Sequence, residues 1–280
     1  MLSNLALAAA AIAAGAASAG PSASTSPSIP SASVAIATSA LVIGDSVPDT
    51  ANAVSFTTSD GQLLSGSYFA PKVAKKRTAP APAALLIHDA RKTRGGFHEL
   101  ATYLQKKGFA VLTVDLRGHG DSETPECCFD KADEKAQQNI WSLSTRDVDA
   151  AADFLMAQEG VHSSNLSIFG VGSGASLAVR RARDDENVRS VILVDPEPVA
   201  FGYNLAKGVA ELGGLPTLIM TPKSKRDVAE RLQDQAHKDN DGLEFVEVAR
   251  LKVNDGDPLA DSKLDSQAAT WLREKVMPKK

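Results

Sequence analysis

The chain has 280 residues, 43% hydrophobic and 23% charged, with a formal net charge of −4. That composition is globular and long enough for one large domain whose core needs no staple. The slight acidity excludes an electrostatic case for nucleic-acid binding.

The N-terminal segment reads apart from the rest. Residues 2–19, LSNLALAAAAIAAGAASA, are an apolar Ala/Leu run ending in Ala17-Ser18-Ala19, the small-x-small shape of a signal-peptidase site. No basic residue precedes Lys72, so the usual positive n-region is missing. The expectation is a signal peptide over 1–19 and a periplasmic or secreted product; the competing reading is a disordered Ala-rich leader on a cytoplasmic chain. The run is too short and Ala-rich for a stable membrane span. A Ser/Pro/Ala-rich linker over 20–51 buries too little apolar surface to fold. Residues 52–280 are then expected to form the folded domain.

Within it, 54-VSFTTSDGQLLSGSYFAP-71 reads as two strands around Asp60-Gly61, an N-terminal antiparallel hairpin. Strands are predicted at 84–90, 110–116, 166–171, 190–195, 216–221 and 244–251. Helical patterns fall near 96–107, 143–158, 173–183, 226–238 and 262–275. The four middle strands are near-continuous apolar runs, as expected when helices cover both faces. The fold class is therefore α/β, with a mostly parallel central sheet of about eight strands. The only cysteines, Cys127 and Cys128, are adjacent. A bridge between neighbours would be strained and would close almost no loop, so they read as free thiols. No Cys/His spacing suits zinc, and no metal is expected.

Three blocks, in order, resemble an α/β-hydrolase of the esterase, lipase and serine-aminopeptidase-like branch: 85-LLIHDA-90, 112-LTVDLRGHGDS-122 and 166-LSIFGVGSGASLAV-179. The resemblance implies an α/β-hydrolase fold over roughly residues 54–277. It also implies a nucleophile on the turn after the third block's strand, with a histidine and an acid in later loops and an oxyanion hole. With Gly170 and Gly174 as the flanking glycines of Gly-x-Ser-x-Gly, the nucleophile position holds Gly172. The family's histidine belongs in the loop 252-KVNDGDPLADS-262, which has none; Asp255-Gly256 stands where His-Gly is expected. The loop 222-PKSKRD-227 is basic where the acid is expected, and Asp227 reads as the start of a helix. At the oxyanion-like turn, made of Asp89, Ala90 and Ser173, an aspartate follows His88 where glycine is usual, and its charge would oppose a developing oxyanion.

These departures lead to the expectation of a triad-lacking hydrolase fold with no cofactor, binding a small-molecule or protein ligand that the residues do not identify. Two other readings stay open. One is a serine hydrolase of esters or amides using Ser173, or Ser176, with Asp195 and His98 as fallback partners. Of the five histidines, His98 is the one placed near the cleft; His88, His119, His162 and His237 read as structural or solvated. Ser173 otherwise reads as a helix-capping residue. The other is a dinucleotide turn, Gly170-x-Gly172-x-x-Ala175 with Asp195 downstream. The glycine-rich helix start beside Arg91, Lys92 and Arg94 could also hold an anion, unless that loop is simply solvated.

Overall fold

A computed structural model describes residues 51–72, 79–253 and 256–277, which belong to one compact unit. The expected signal peptide, all but the last residue of the linker, and Asp255 lie outside the described residues.

The strands are β1 (Asn52–Thr57), β2 (Leu63–Phe69), β3 (Ala81–Ile87), β4 (Ala110–Val114), β5 (Val161–Val171), β6 (Val188–Val194), β7 (Val199–Ala200), β8 (Tyr203–Asn204), β9 (Thr217–Thr221) and β10 (Val246–Arg250). The helices are α1 (His98–Lys106), α2 (Glu134–Leu143), α3 (Thr145–Met156), α4 (Gly174–Asp184), α5 (Leu205–Ala210), α6 (Arg226–Asp239) and α7 (Leu264–Val276). One eight-stranded sheet runs in the order β1-β2-β4-β3-β5-β6-β9-β10. The β1–β2 and β2–β4 pairs are antiparallel and the rest parallel. This is the α/β-hydrolase fold expected from the sequence. The short pair β7–β8 stands apart as its own ribbon.

Strands β3, β4 and β9 are buried along their whole length, and β5 and β6 over their C-terminal parts; their pleat feeds two cores. Ala83, Leu85 and Ile87 of β3 join the core on the side of α3 and α4, whereas Ala84 and Leu86 join the core that includes α1 and α7. Covered on both sides, these strands cannot show polar alternation, which is why they read as continuous apolar runs. Helices α2 and α5 were missed in the sequence. The expected helix over 143–158 is the second of a pair, α2 and α3, meeting at Ser144. Asp133 caps α2 by accepting from the Ala136 N–H at 2.8 Å. Among the described residues, no helix is long and apolar enough to cross a membrane.

Cys127 and Cys128 are both free. Paired backbone hydrogen bonds between Thr124 and Cys127, at 3.0 and 3.1 Å, close a tight turn. The Cys128 thiol bonds Glu123, while the Cys127 Sγ packs on Gly118.

One buried cation ties three elements together. Arg117, from the turn after β4, reaches Asp147 of α3 through Nε at 2.9 Å and Nη2 at 2.7 Å, and its N–H donates to the same carboxylate at 2.8 Å. Its other edge holds Asp60 of the β1–β2 turn at 2.8 and 2.9 Å. The Arg117 contact holds the Asp60 carboxyl far below the usual carboxylate range. Asp147 has no exposed side-chain surface, whereas Asp60 is 24% exposed. Removing Arg117 therefore strands a fully buried charge. Arg117→Ala should lower unfolding stability by about 3–5 kcal/mol, and Asp60→Ala by about 1 kcal/mol, both read from denaturant midpoints.

A second acid sits badly where α7 packs on α1. Burial, and then the charge of Glu99, pushes the Asp265 carboxyl up to about 6. The folded state thus holds this proton more tightly than the unfolded state, so stability falls as pH rises from the ordinary aspartate range through about 6. Asp265→Asn should raise stability near neutral pH by on the order of 1 kcal/mol, after discounting for solvent screening. The gain should vanish in thermal melts below about pH 4.

Candidate functional site

The parallel strands end along one edge of the sheet, where open α/β folds place their ligands. Ile87 pairs with Val114 on one side and Gly170 on the other, and Val171 pairs with Val194. The turns after β3, β4, β5 and β6 therefore meet at this edge.

The turn after β5 is set by three glycines. Gly172 has φ 55°, the left-handed conformation that other residues enter only at a cost. A Cβ at Gly170 would lie 2.6 Å from the Ala175 Cα, and one at Gly174 would lie 2.5 Å from the His88 carbonyl oxygen. The flanking glycines thus let helix α4 pack on β5 and β3. A Cβ at Gly172 would overlap Oδ2 of Asp89, with Cγ only 2.7 Å away. The Asp89 carboxylate fills the space where a side chain at position 172 would begin.

That carboxylate is held in place. Its Oδ1 accepts from the Ser173 hydroxyl and the Arg91 N–H, each at 3.2 Å. The Ser173 Oγ in turn accepts the Ala90 N–H at 2.9 Å. An amide of the oxyanion-like turn is therefore spent on a neighbouring hydroxyl. Ser173 is almost fully buried and makes no capping bond to α4, so the sequence expectation of a cap is corrected. Its hydroxyl is instead engaged by the Ala90 amide and the Asp89 carboxylate across the turn. Ser176 lies within α4, donating to the Ser173 carbonyl at 2.8 Å and accepting from Trp141 Nε1 at 3.2 Å.

His98 is a second correction. It does not join Ser173 but lies against Phe69 of β2, ring centroids 6.0 Å apart, in a hollow of about 320 Å³ shared with Arg94 and Asp115. The helix it opens packs on the β2/β4 side, and β3 intervenes before β5. Its sequence neighbourhood could not reveal the rotation of α1.

The other two histidines near the edge are buried behind the Asp89-Ala90 turn. His88 Nδ1 donates to the Asp89 carbonyl at 2.7 Å, and Nε2 accepts the Leu116 N–H at 3.0 Å. Burial, with the nearby His119 second, lowers His88 to about 3, so it is neutral. His119 packs between Phe129 and His88. The sequence had set both aside as structural.

Two cations of the basic loop after β3 are engaged by carboxylates. Arg94 pairs with Asp115 and Asp121, and Lys92 lies 3.7 Å from Asp257. Asp195, with φ 47°, gives Oδ2 to Lys225 at 2.7 Å and leaves Oδ1 buried without a hydrogen-bond partner. Lys225 comes from the loop where the family places its acid. Partial burial, and then the charge of Asp89, raises the nearby Glu197 carboxyl. For the dinucleotide reading, a pyrophosphate approaching Gly172 would meet the Asp89 carboxylate. In the loop before α7, Asp261 accepts from the N–H groups of Lys252, Val253 and Lys263 and so pins its ends. Among the described residues, no group of three or more His, Cys, Asp or Glu is placed to hold a metal ion.

The family model for serine aminopeptidase S33 matches residues 78–242, more than half of the chain. The chain belongs to this family. It is also 31% identical over 152 residues to the esterase FrsA of Yersinia pestis; the match covers 54% of this chain and 33% of that relative's length. Among solved structures, an esterase of Pyrococcus furiosus aligns with a TM-score of 0.63 at 15% identity, covering 84% of this chain and 96% of that one. A dienelactone hydrolase from Anabaena variabilis aligns at 0.57 with 16% identity, covering 81% and 98%. At these identities the structural likenesses establish the α/β-hydrolase fold.

The Gly172–Asp89 overlap makes a quantitative prediction for this S33 chain. Gly172→Ser should destabilise by about 2–4 kcal/mol, combining positive-φ strain with displacement of the carboxylate. In an Asp89→Gly background the same change should cost about 1–2 kcal/mol. Additive effects in this double-mutant cycle would show that the two sites do not compete for one volume.

Proposed function

We propose that this S33-family chain is an exported protein that does not catalyse acyl transfer and instead binds a small-molecule or protein ligand at the edge where its relatives carry an active site. The observation that carries this reading is the Asp89 carboxylate over Gly172. Acyl transfer needs a nucleophile at the turn, a base to take its proton and donors for the oxyanion. Here the nucleophile position has no side chain, and a negative charge stands in its space. The Ala90 N–H is used internally, and the loop before α7 contains no histidine. Loss of a triad costs on the order of 10⁶ in turnover while binding and oxyanion donors alone leave about 10³–10⁴ over water. Slow turnover of an activated ester would therefore not distinguish an enzyme from its remnant. Export rests on the Ala/Leu run over 2–19 and its Ala17-Ser18-Ala19 end.

A second reading has its own support: the relatives are esterases, and the Ser173 hydroxyl donates to a carboxylate, Asp89, at 3.2 Å. On that reading Ser173 attacks an ester or amide with Asp89 as its base. Its near-complete burial and its bond from Ala90 weigh against it.

Fluorophosphonate labelling of the folded protein, read by intact mass and peptide sequencing, separates the two. No adduct is expected. A stoichiometric adduct at Ser173 or Ser176, lost on alanine substitution of that residue, overturns the binding reading in favour of a live hydrolase.

A further inference from the structure

His119 makes two contacts that a neutral imidazole cannot satisfy together. Its Nδ1 lies 2.9 Å from the Arg117 carbonyl oxygen, and its Nε2 lies 2.6 Å from that of Ala90. Both partners are acceptors only. A neutral ring has one N–H, so one bare nitrogen would face a carbonyl lone pair inside the core; only the imidazolium donates to both. His88, with its ring centroid 4.9 Å away, provides the contrast, because it faces one acceptor and one donor and is satisfied as a single neutral tautomer.

We propose that His119 is a buried imidazolium that latches the Asp89-Ala90 turn in its closed position, and that loss of its proton at higher pH releases the turn. The surroundings favour the cation. Phe129 stacks on the ring at 4.6 Å, within the range where an aromatic face stabilises a positive charge. The charged and titratable groups facing it can be named element by element. From the end of β3 come neutral His88 and, across the turn, the Asp89 carboxylate. Its own turn supplies Arg117, whose guanidinium is engaged by Asp60 and Asp147, and Asp115 and Asp121, which engage Arg94. From the following segment come Glu123, which feels the charge of His119, and the two thiols Cys127 and Cys128. Helix α2 presents Trp141, edge-on at 6.3 Å and uncharged. The cations here already have carboxylate partners.

The latch acts through one residue. The His119 side chain holds the Ala90 carbonyl, and the Ala90 N–H holds Ser173, which in turn anchors Asp89 over Gly172. This last step rests on the reading of Asp89 as the group that closes the cleft; the protonation of His119 does not.

The experiment is a long-range ¹H–¹⁵N correlation of the imidazole rings in the ¹⁵N-labelled full chain, across roughly pH 5 to 9, with amide exchange at Ala90 and Arg91. At neutral pH His119 should show both nitrogens protonated, and His88 a bare Nε2. As His119 loses its proton, Ala90 protection should fall at least about tenfold beyond the intrinsic pH dependence of exchange. His119→Asn, which keeps one donor, should show low Ala90 protection at every pH. Should that variant not fold, the wild-type ring titration and exchange still decide the matter. A single-tautomer His119 at neutral pH, or Ala90 exchange that follows only the intrinsic rate while His119 titrates, overturns the latch. Neither result depends on whether fluorophosphonate labels the chain.

Discussion

The organisation of the site depends on the buried Arg117–Asp147 pair and its extension to Asp60. A guanidinium in the core is costly unless each of its donors is used. Here two carboxylates, one from α3 and one from the β1–β2 hairpin, use both of its edges. The backbone N–H of Arg117 is bound as well, so the turn after β4 is fixed as backbone, not only as a side chain. That turn carries His119 two residues later, and His119 touches the carbonyl of Ala90. The hairpin, a helix and the oxyanion-like turn are thus joined by a short chain of polar contacts, each buried enough to matter.

Beyond that anchor, the cleft's character follows from an exchange of volume. Position 172 is a glycine with a positive φ that would strain a side chain, and the Asp89 carboxylate occupies the space where one would begin. Ser173 then satisfies both sides of the Asp89-Ala90 turn, donating to the carboxylate and accepting from the amide. These three residues form a closed hydrogen-bonded unit. Acyl transfer calls for donors left unpaired in the ground state so that they are ready for the oxyanion.

The fold was legible because its signals are local. β3, β4, β5, β6 and β9 are covered on both faces and read as apolar runs, and helices α1, α4, α6 and α7 show amphipathic periodicity. The register of the β5 turn was legible for a steric reason: Gly170 and Gly174 sit where a Cβ would meet backbone, so their spacing locates Gly172. Helix α2 was missed because its exposed face is polar and only Trp141 is deeply buried. The ribbon β7–β8 was missed because two-residue strands carry no period. His98 was misplaced because sequence places a residue on a helix but not the azimuth at which tertiary packing sets that helix. Asp89 was read as a charge near the oxyanion turn; its occupation of the Gly172 space needed coordinates, since 83 positions separate the two.

That separation bears on how the occupancy of such a turn is recognised. A missing nucleophile alone is weak evidence, because another serine could take over and two stand nearby. In this chain the space at Gly172 is occupied by Asp89 from the turn after β3, and the neighbouring Ser173 is tied to both that carboxylate and the Ala90 amide. Placing a serine at 172 would therefore meet three obstacles together: a strained backbone, an occupied volume and a carboxylate beside the turn. Because these obstacles share Asp89, they are coupled. Position 89 thus governs whether position 172 can hold a side chain at all, and the Asp89 carboxylate stands at the centre of this edge.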